Sequence, residues 1–173
     1  MSRKPSVYLD SIILSALHYP GRSAVLHTRR AATRDWWVLE KPLFQVWASR
    51  VVASELAEGR FPGQPNAVAE ALRLRHLPFT AAVNHCVAAL VEEELVPLSQ
   101  RADALHLAFA VVHRIDYLLT WNHAHLANVE TQKRLTALCK ERGWRAPVLA
   151  SPDAKPKASF GQTIRRRDED EGA

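Results

Sequence analysis

The feature that most restricts the fold of this 173-residue chain is its alternation of short, unbroken apolar runs with longer stretches of helical periodicity. Val7-Tyr8-Leu9 stops at Asp10, after which Ile12, Ile13, Ala16 and Leu17 recur at the spacing of one helix face. Phe44-Gln45-Val46-Trp47 reads as a second strand, Tyr117-Leu118-Leu119-Thr120-Trp121 as the clearest one, and Pro147-Val148-Leu149 as a short last one. Leu77-Pro78-Phe79 is a poorer extended piece, since its proline cannot donate to a ladder. Runs that are apolar throughout need cover on both faces, and strands alternating with helices pair in parallel. The expected fold is therefore α/β, a mostly parallel central sheet flanked by helices on both faces.

The intervening helices announce their ends. Ser23 is placed to cap a helix running through Leu26, Arg30, Arg34 and Trp37 towards Lys41-Pro42. Ser49 is placed to cap one carrying Val52, Glu55 and Leu56, which Gly59 ends. Helices are also expected over 65–74, 81–94, 102–113, with Ser99 as its cap, and 127–142. The helix from Ala102 is apolar almost all round, as suits the centre of a fold.

At roughly 150 residues per domain the length suits one domain, assigned to residues 1–153. Residues 154–173 turn polar, then basic, then acidic (RRRDEDEG), and are expected to form a disordered charged tail. A hydrophobic fraction of 47% supplies a real core and excludes a disordered chain. Cys86 and Cys139 lie in no CxxC pair, which argues against a zinc ribbon or redox dithiol and for a reducing, cytoplasmic setting. Asp10 interrupts the first apolar run, which disfavours a secretory signal, and no run approaches the roughly 20 residues of a membrane span. The net charge of +5 suits a polyanionic partner.

Three carboxylates stand out. Asp10 lies where the first strand meets the first helix, a place that an N-cap alone would explain. Glu55 shares the face of Val52 and Leu56, whereas Glu58 turns outward. Asp103 opens a helix with almost no other polar surface apart from His106, and the helix dipole alone could hold it there. Brought together, the three would repel one another unless a cation sat among them, and hard oxygen ligands favour Mg²⁺ or Mn²⁺ over zinc.

In order along the chain, VYLDSIILSAL, SELAEG, ADALHLAFA and DYLLTWNHAHLAN resemble the motifs of PIN domains, especially VapC-type toxin ribonucleases, over about residues 7–153. The resemblance implies a small PIN-like α/β fold whose acidic cluster binds Mg²⁺ or Mn²⁺ and hydrolyses RNA phosphodiester bonds, an antitoxin protein as partner, and homodimerisation. Carried over by position, the family's acidic residues fall on Asp10, Glu55 and Asp103 as metal ligands. The fourth catalytic position, often aspartate, is Asn122 here, and Ser11 stands where threonine is common. Loss of the fourth acid supports an alternative, a PIN-like module that binds RNA or protein without cutting. A phosphotransfer enzyme using Asp10 as nucleophile is disfavoured, because Ile12 occupies the place of a second aspartate.

Other residues leave two readings each. His106, one turn beyond Asp103, either packs in the core, which is preferred, or bonds that carboxylate or meets a scissile phosphate. His123 and His125 lack the partners of a zinc site, and Asp116, at the opposite strand end from Asn122, reads as structural. Arg29, Arg30 and Arg34 beside Trp36 and Trp37 would grip phosphate and stack a base, or else the arginines are solvated and the tryptophans pack. Packing is the preferred reading for Trp37, with Trp36 left open. The Arg73, Arg75 and His76 cluster is equally ambiguous.

Overall fold

The computed structural model describes residues 3–19 and 21–154; the expected charged tail lies outside them. Its five strands are β1 (Ser6–Leu9), β2 (Gln45–Ala48), β3 (Arg75–His76), β4 (Tyr117–Leu119) and β5 (Val148–Ala150). They pair in the order β3-β2-β1-β4-β5, all in parallel. Every residue of β1 and β4 is buried, so the central strands are covered on both faces, as their unbroken apolar runs require. The architecture is the expected α/β one.

Among the described residues seven α-helices supply that cover: α1 (Ser11–His18), α2 (Ala24–Asp35), α3 (Arg50–Glu58), α4 (Gln64–Arg73), α5 (Ala81–Glu92), α6 (Arg101–Val112) and α7 (Val129–Glu141). α1 packs against α2, α3 and α4, while α5 packs along α6. α6 is the central helix its composition predicts, with Ala104 and the run from His106 to Val111 buried. Gly63, at φ +88°, caps the start of α4 against the carbonyl of His18, where a side chain would collide with backbone.

Local departures have local causes. The third strand falls on Arg75–His76 rather than Leu77–Phe79: Leu77 N–H still reaches the Ala48 carbonyl at 2.9 Å, but Pro78 has no N–H with which to extend the ladder. Ser99 does not cap α6; residues Leu98–Gln100 form a 3₁₀ turn and Gln100 precedes the helix without a side-chain cap. α2 ends at Asp35 in a π turn over Trp36–Glu40. That wider turn carries Trp36 into the core at 1% exposure, against Phe44, and leaves Trp37 half-buried under the Lys41 ammonium, 3.7 Å from the ring centroid. Trp37 packs on the edge of the core, as preferred, and Trp36, left open, proves the more deeply buried of the two.

Asp116 is structural, as expected. At the start of β4 its carboxylate accepts from Ser6 N–H (2.7 Å), the Ser6 hydroxyl (2.8 Å) and Arg145 (2.7 Å), tying β1 to the segment entering β5. Cys86 and Cys139 are buried free thiols. No described helix is long and apolar enough to cross a membrane.

Candidate functional site

The chain runs β1, β2, β3 to one side of the sheet and then crosses back to place β4 and β5 on the other, so the order switches between β1 and β4. In such sheets the crevice beyond the carboxyl ends of these two strands is where ligands bind. Asp10 and Asn122 both lie there. Asp10 N–H donates to the Leu119 carbonyl at 3.3 Å, carrying the β1–β4 ladder one residue past the strand, and its Oδ1 accepts from Ile13 N–H at 3.1 Å. Asp10 is therefore the N-cap of α1, and buried.

Glu55 comes from the second turn of α3, half-buried, while Glu58 is exposed on the same helix. Asp103 comes from the first turn of α6. Asn122 follows β4 in a turn that uses its whole amide: Oδ1 accepts from His125 N–H at 3.2 Å, and Nδ2 donates to Asp103 Oδ2 at 2.9 Å. Leu126 and Ala127 N–H close the turn on the Asn122 carbonyl, each at 2.9 Å.

His106, 3% exposed, is packed in the core, and it also bonds a carboxylate, though not the expected one. The partner is Glu55, through Nε2 at 3.0 Å, rather than Asp103 one turn away. Its Nδ1 meets the Tyr8 hydroxyl at 3.0 Å, and that hydroxyl meets Ser49 Oγ at 2.8 Å. Ser49 occupies the N-cap position of α3 but makes no cap bond, having turned its hydroxyl to Tyr8. Periodicity had no means of finding Tyr8 and Ser49, since one reads as a core aromatic and the other as a cap.

The electrostatics follow from burial and these pairings. Burial pushes Asp10 up to about 6, against the opposing pull of His106, the Thr120 hydroxyl and Ile13 N–H, and Glu55 adds to the rise. Burial also raises Asp103, incompletely offset by Asn122, His106 and His125. Glu55 goes the other way: burial would raise it, but the His106 hydrogen bond and charge, with the Ser11 hydroxyl, hold it below its ordinary value. His106 would be lowered by burial, yet Glu55, Asp10 and Asp103 together hold it above the usual histidine range. All three carboxylates thus act on one imidazole.

The donor set suits a hard cation in kind, being carboxylate oxygen, and the buried Asp10 carboxylate, whose charge burial disfavours, is one that a cation would stabilise. Among the described residues, however, no group of three or more His, Cys, Asp or Glu side chains stands arranged to hold a metal ion. Glu55 is turned to His106, and Asp103 to Asn122. His123 and His125 are exposed and bond to the Ala127 carbonyl and Gln100 respectively.

The aromatic partner of Arg29 is neither Trp36 nor Trp37. Arg29 lies 5.5 Å from the centroid of Trp121, whose Nε1 donates to Thr33 at 2.9 Å, placing a cation over the residue that precedes Asn122. Arg75 similarly covers Trp47 at 4.2 Å. The chain matches no model of a known protein family and no curated protein.

Proposed function

We propose that this protein is a metal-dependent endoribonuclease of the PIN type, hydrolysing RNA phosphodiester bonds as the toxin of a toxin–antitoxin pair. The observation that carries the reading is the gathering of Asp10, Glu55 and Asp103, from three separate elements, around buried His106 at the switch point of a parallel sheet. Burying carboxylate charge is costly, and a fold that brings one buried and two half-buried carboxylates to one imidazole supports a role for their charge.

Asp10, Glu55 and Asp103 are the side chains that would hold Mg²⁺ or Mn²⁺. Bound there, such an ion would supply charge stabilisation at phosphoryl oxygens and a more acidic water. Asn122 orients Asp103 through its amide, and Glu55 or Asp103 orients the attacking water. Arg29, beside Asn122 on Trp121, supplies a cation for the RNA backbone, which the net charge of +5 also attracts. The antitoxin partner, the homodimer and the cytoplasmic setting belong to the same proposal and rest on the sequence resemblance.

A second reading, a PIN-like module that binds RNA or protein without cutting, is favoured by one observation. The Asn122 amide already satisfies Asp103 where a fourth acid would add charge. RNA incubated with purified protein in Mn²⁺ or in EDTA separates the two. The nuclease reading expects metal-dependent cleavage that stops in Asp103→Asn and continues in Glu58→Gln. RNA retained on the protein but uncut at every metal concentration selects the second reading.

A further inference from the structure

We propose that Ser49, Tyr8 and His106 form a buried relay that fixes the Glu55 carboxylate at the acidic cluster, making His106 and Tyr8 positioning residues of the site. The relay begins and ends on α3, at its N-cap position and its second turn, and passes through β1 and α6 on the way. Its three links are 2.8 Å, 3.0 Å and 3.0 Å long. Ser49 and Tyr8 are wholly buried.

Packing does not explain these polar atoms. The Tyr8 ring lies nearly parallel to Phe109, centroids 5.9 Å apart, and Phe would fill the same space without a hydroxyl to satisfy. Ser49 forgoes the cap bond that a serine at this position usually makes, leaving the first turn of α3 without it. What the arrangement achieves is orientation. An ionised Glu55 only accepts, so His106 Nε2 must donate to it. Nδ1 is meanwhile held by the Tyr8 hydroxyl, in either direction of donation, and an imidazole held at both nitrogens cannot flip. Glu55 Oε2 is thereby located by the interior of the protein. Tyr8 also lies two residues before Asp10, so the relay references Glu55 to the strand that delivers Asp10.

What Glu55 serves rests on the nuclease reading above, whereas the relay is tested without it. In full-length protein labelled with ¹⁵N at histidine, the His106 resonances should show a proton on Nε2, and Tyr8→Phe should shift Nδ1 in a protein that still folds, with a lowered melting temperature because Ser49 and His106 each lose a buried partner. An unprotonated Nε2, or a His106 spectrum indifferent to Tyr8→Phe, overturns the relay. Mn²⁺ titration then reads its consequence. His106→Leu should weaken binding about 10- to 100-fold, the range for partners that orient ligands. His106→Gln, which keeps a donor near Nε2, should recover most of that loss. Equal affinities for Leu and Gln variants overturn the positioning role. If wild-type protein takes up no Mn²⁺, the metal reading is what fails, and the imidazole spectrum still decides the relay.

Discussion

Asn122 donates its side-chain amide to Asp103 across 2.9 Å, so that the end of β4 and the start of α6 are joined by a neutral group holding a carboxylate. An aspartate at 122 would set two like charges at that distance.

Asn122→Asp should therefore lower the melting temperature in EDTA and regain the loss on addition of Mn²⁺, with Mn²⁺ affinity raised about tenfold by the added oxygen ligand and charge. Asn122→Ala removes the donor and should weaken both metal binding and RNA cleavage. Calorimetric titration with thermal melting in each buffer checks both variants, and unchanged affinity in the pair would remove Asn122 from the site.

Asp10→Asn should stabilise the metal-free protein at neutral pH. Asp10 titrates near 6 when folded against an ordinary 3.8, so the folded state binds this proton more tightly than the unfolded one. Its contribution is fully present below about pH 4 and is lost as pH rises through 6. At about 1.4 kcal/mol per pH unit the penalty at pH 7.5 is on the order of 3 kcal/mol. Asparagine caps α1 as well as aspartate does and carries no charge. Denaturant melts should show the variant ahead at pH 7.5 and level with wild type near pH 4; a constant difference across that range would refute the account.

Asp116 has the opposite sign. Burial would raise it, but the two Ser6 donors and Arg145 hold it below its ordinary value, so its contribution is present above the ordinary carboxylate range and is lost as pH falls through the folded value. Asp116→Asn should cost about 2 kcal/mol at pH 7, a magnitude typical of hydrogen bonds to a buried charge. The cost should shrink in acid, with RNA cleavage per folded molecule unchanged because the residue sits at the far end of β4.

Trp36→Ala should cost about 3–5 kcal/mol, as for other large core truncations. Trp37→Ala should cost less, about 1–2 kcal/mol, from its partial packing on the core edge and the contact with Lys41. Chemical denaturation of the two variants distinguishes them directly, and equal losses would contradict the placement of the π turn.

The order of the elements, the parallel sheet and the inward face of Glu55 against outward Glu58 were legible in the chain itself. Strand and helix periods act over a few residues, and an unbroken apolar run such as Tyr117-Leu118-Leu119 has few alternatives to a strand covered on both sides. The position of Asp10 at a strand end, and the structural role of Asp116, followed from the same local pattern. Tertiary structure alone decided who meets whom. His106 is one turn from Asp103 yet bonds Glu55, 51 residues away; Ser49 abandons its cap for Tyr8; and Arg29 finds Trp121 instead of the adjacent tryptophans. A single π turn set Trp36 deeper in the core than Trp37. Periodicity determines which face of an element is apolar, but the pairing of polar groups across elements depends on how each helix is rotated and how far it is shifted against the sheet. Those offsets are set by the packing of the whole core, to which residues far apart in the sequence all contribute.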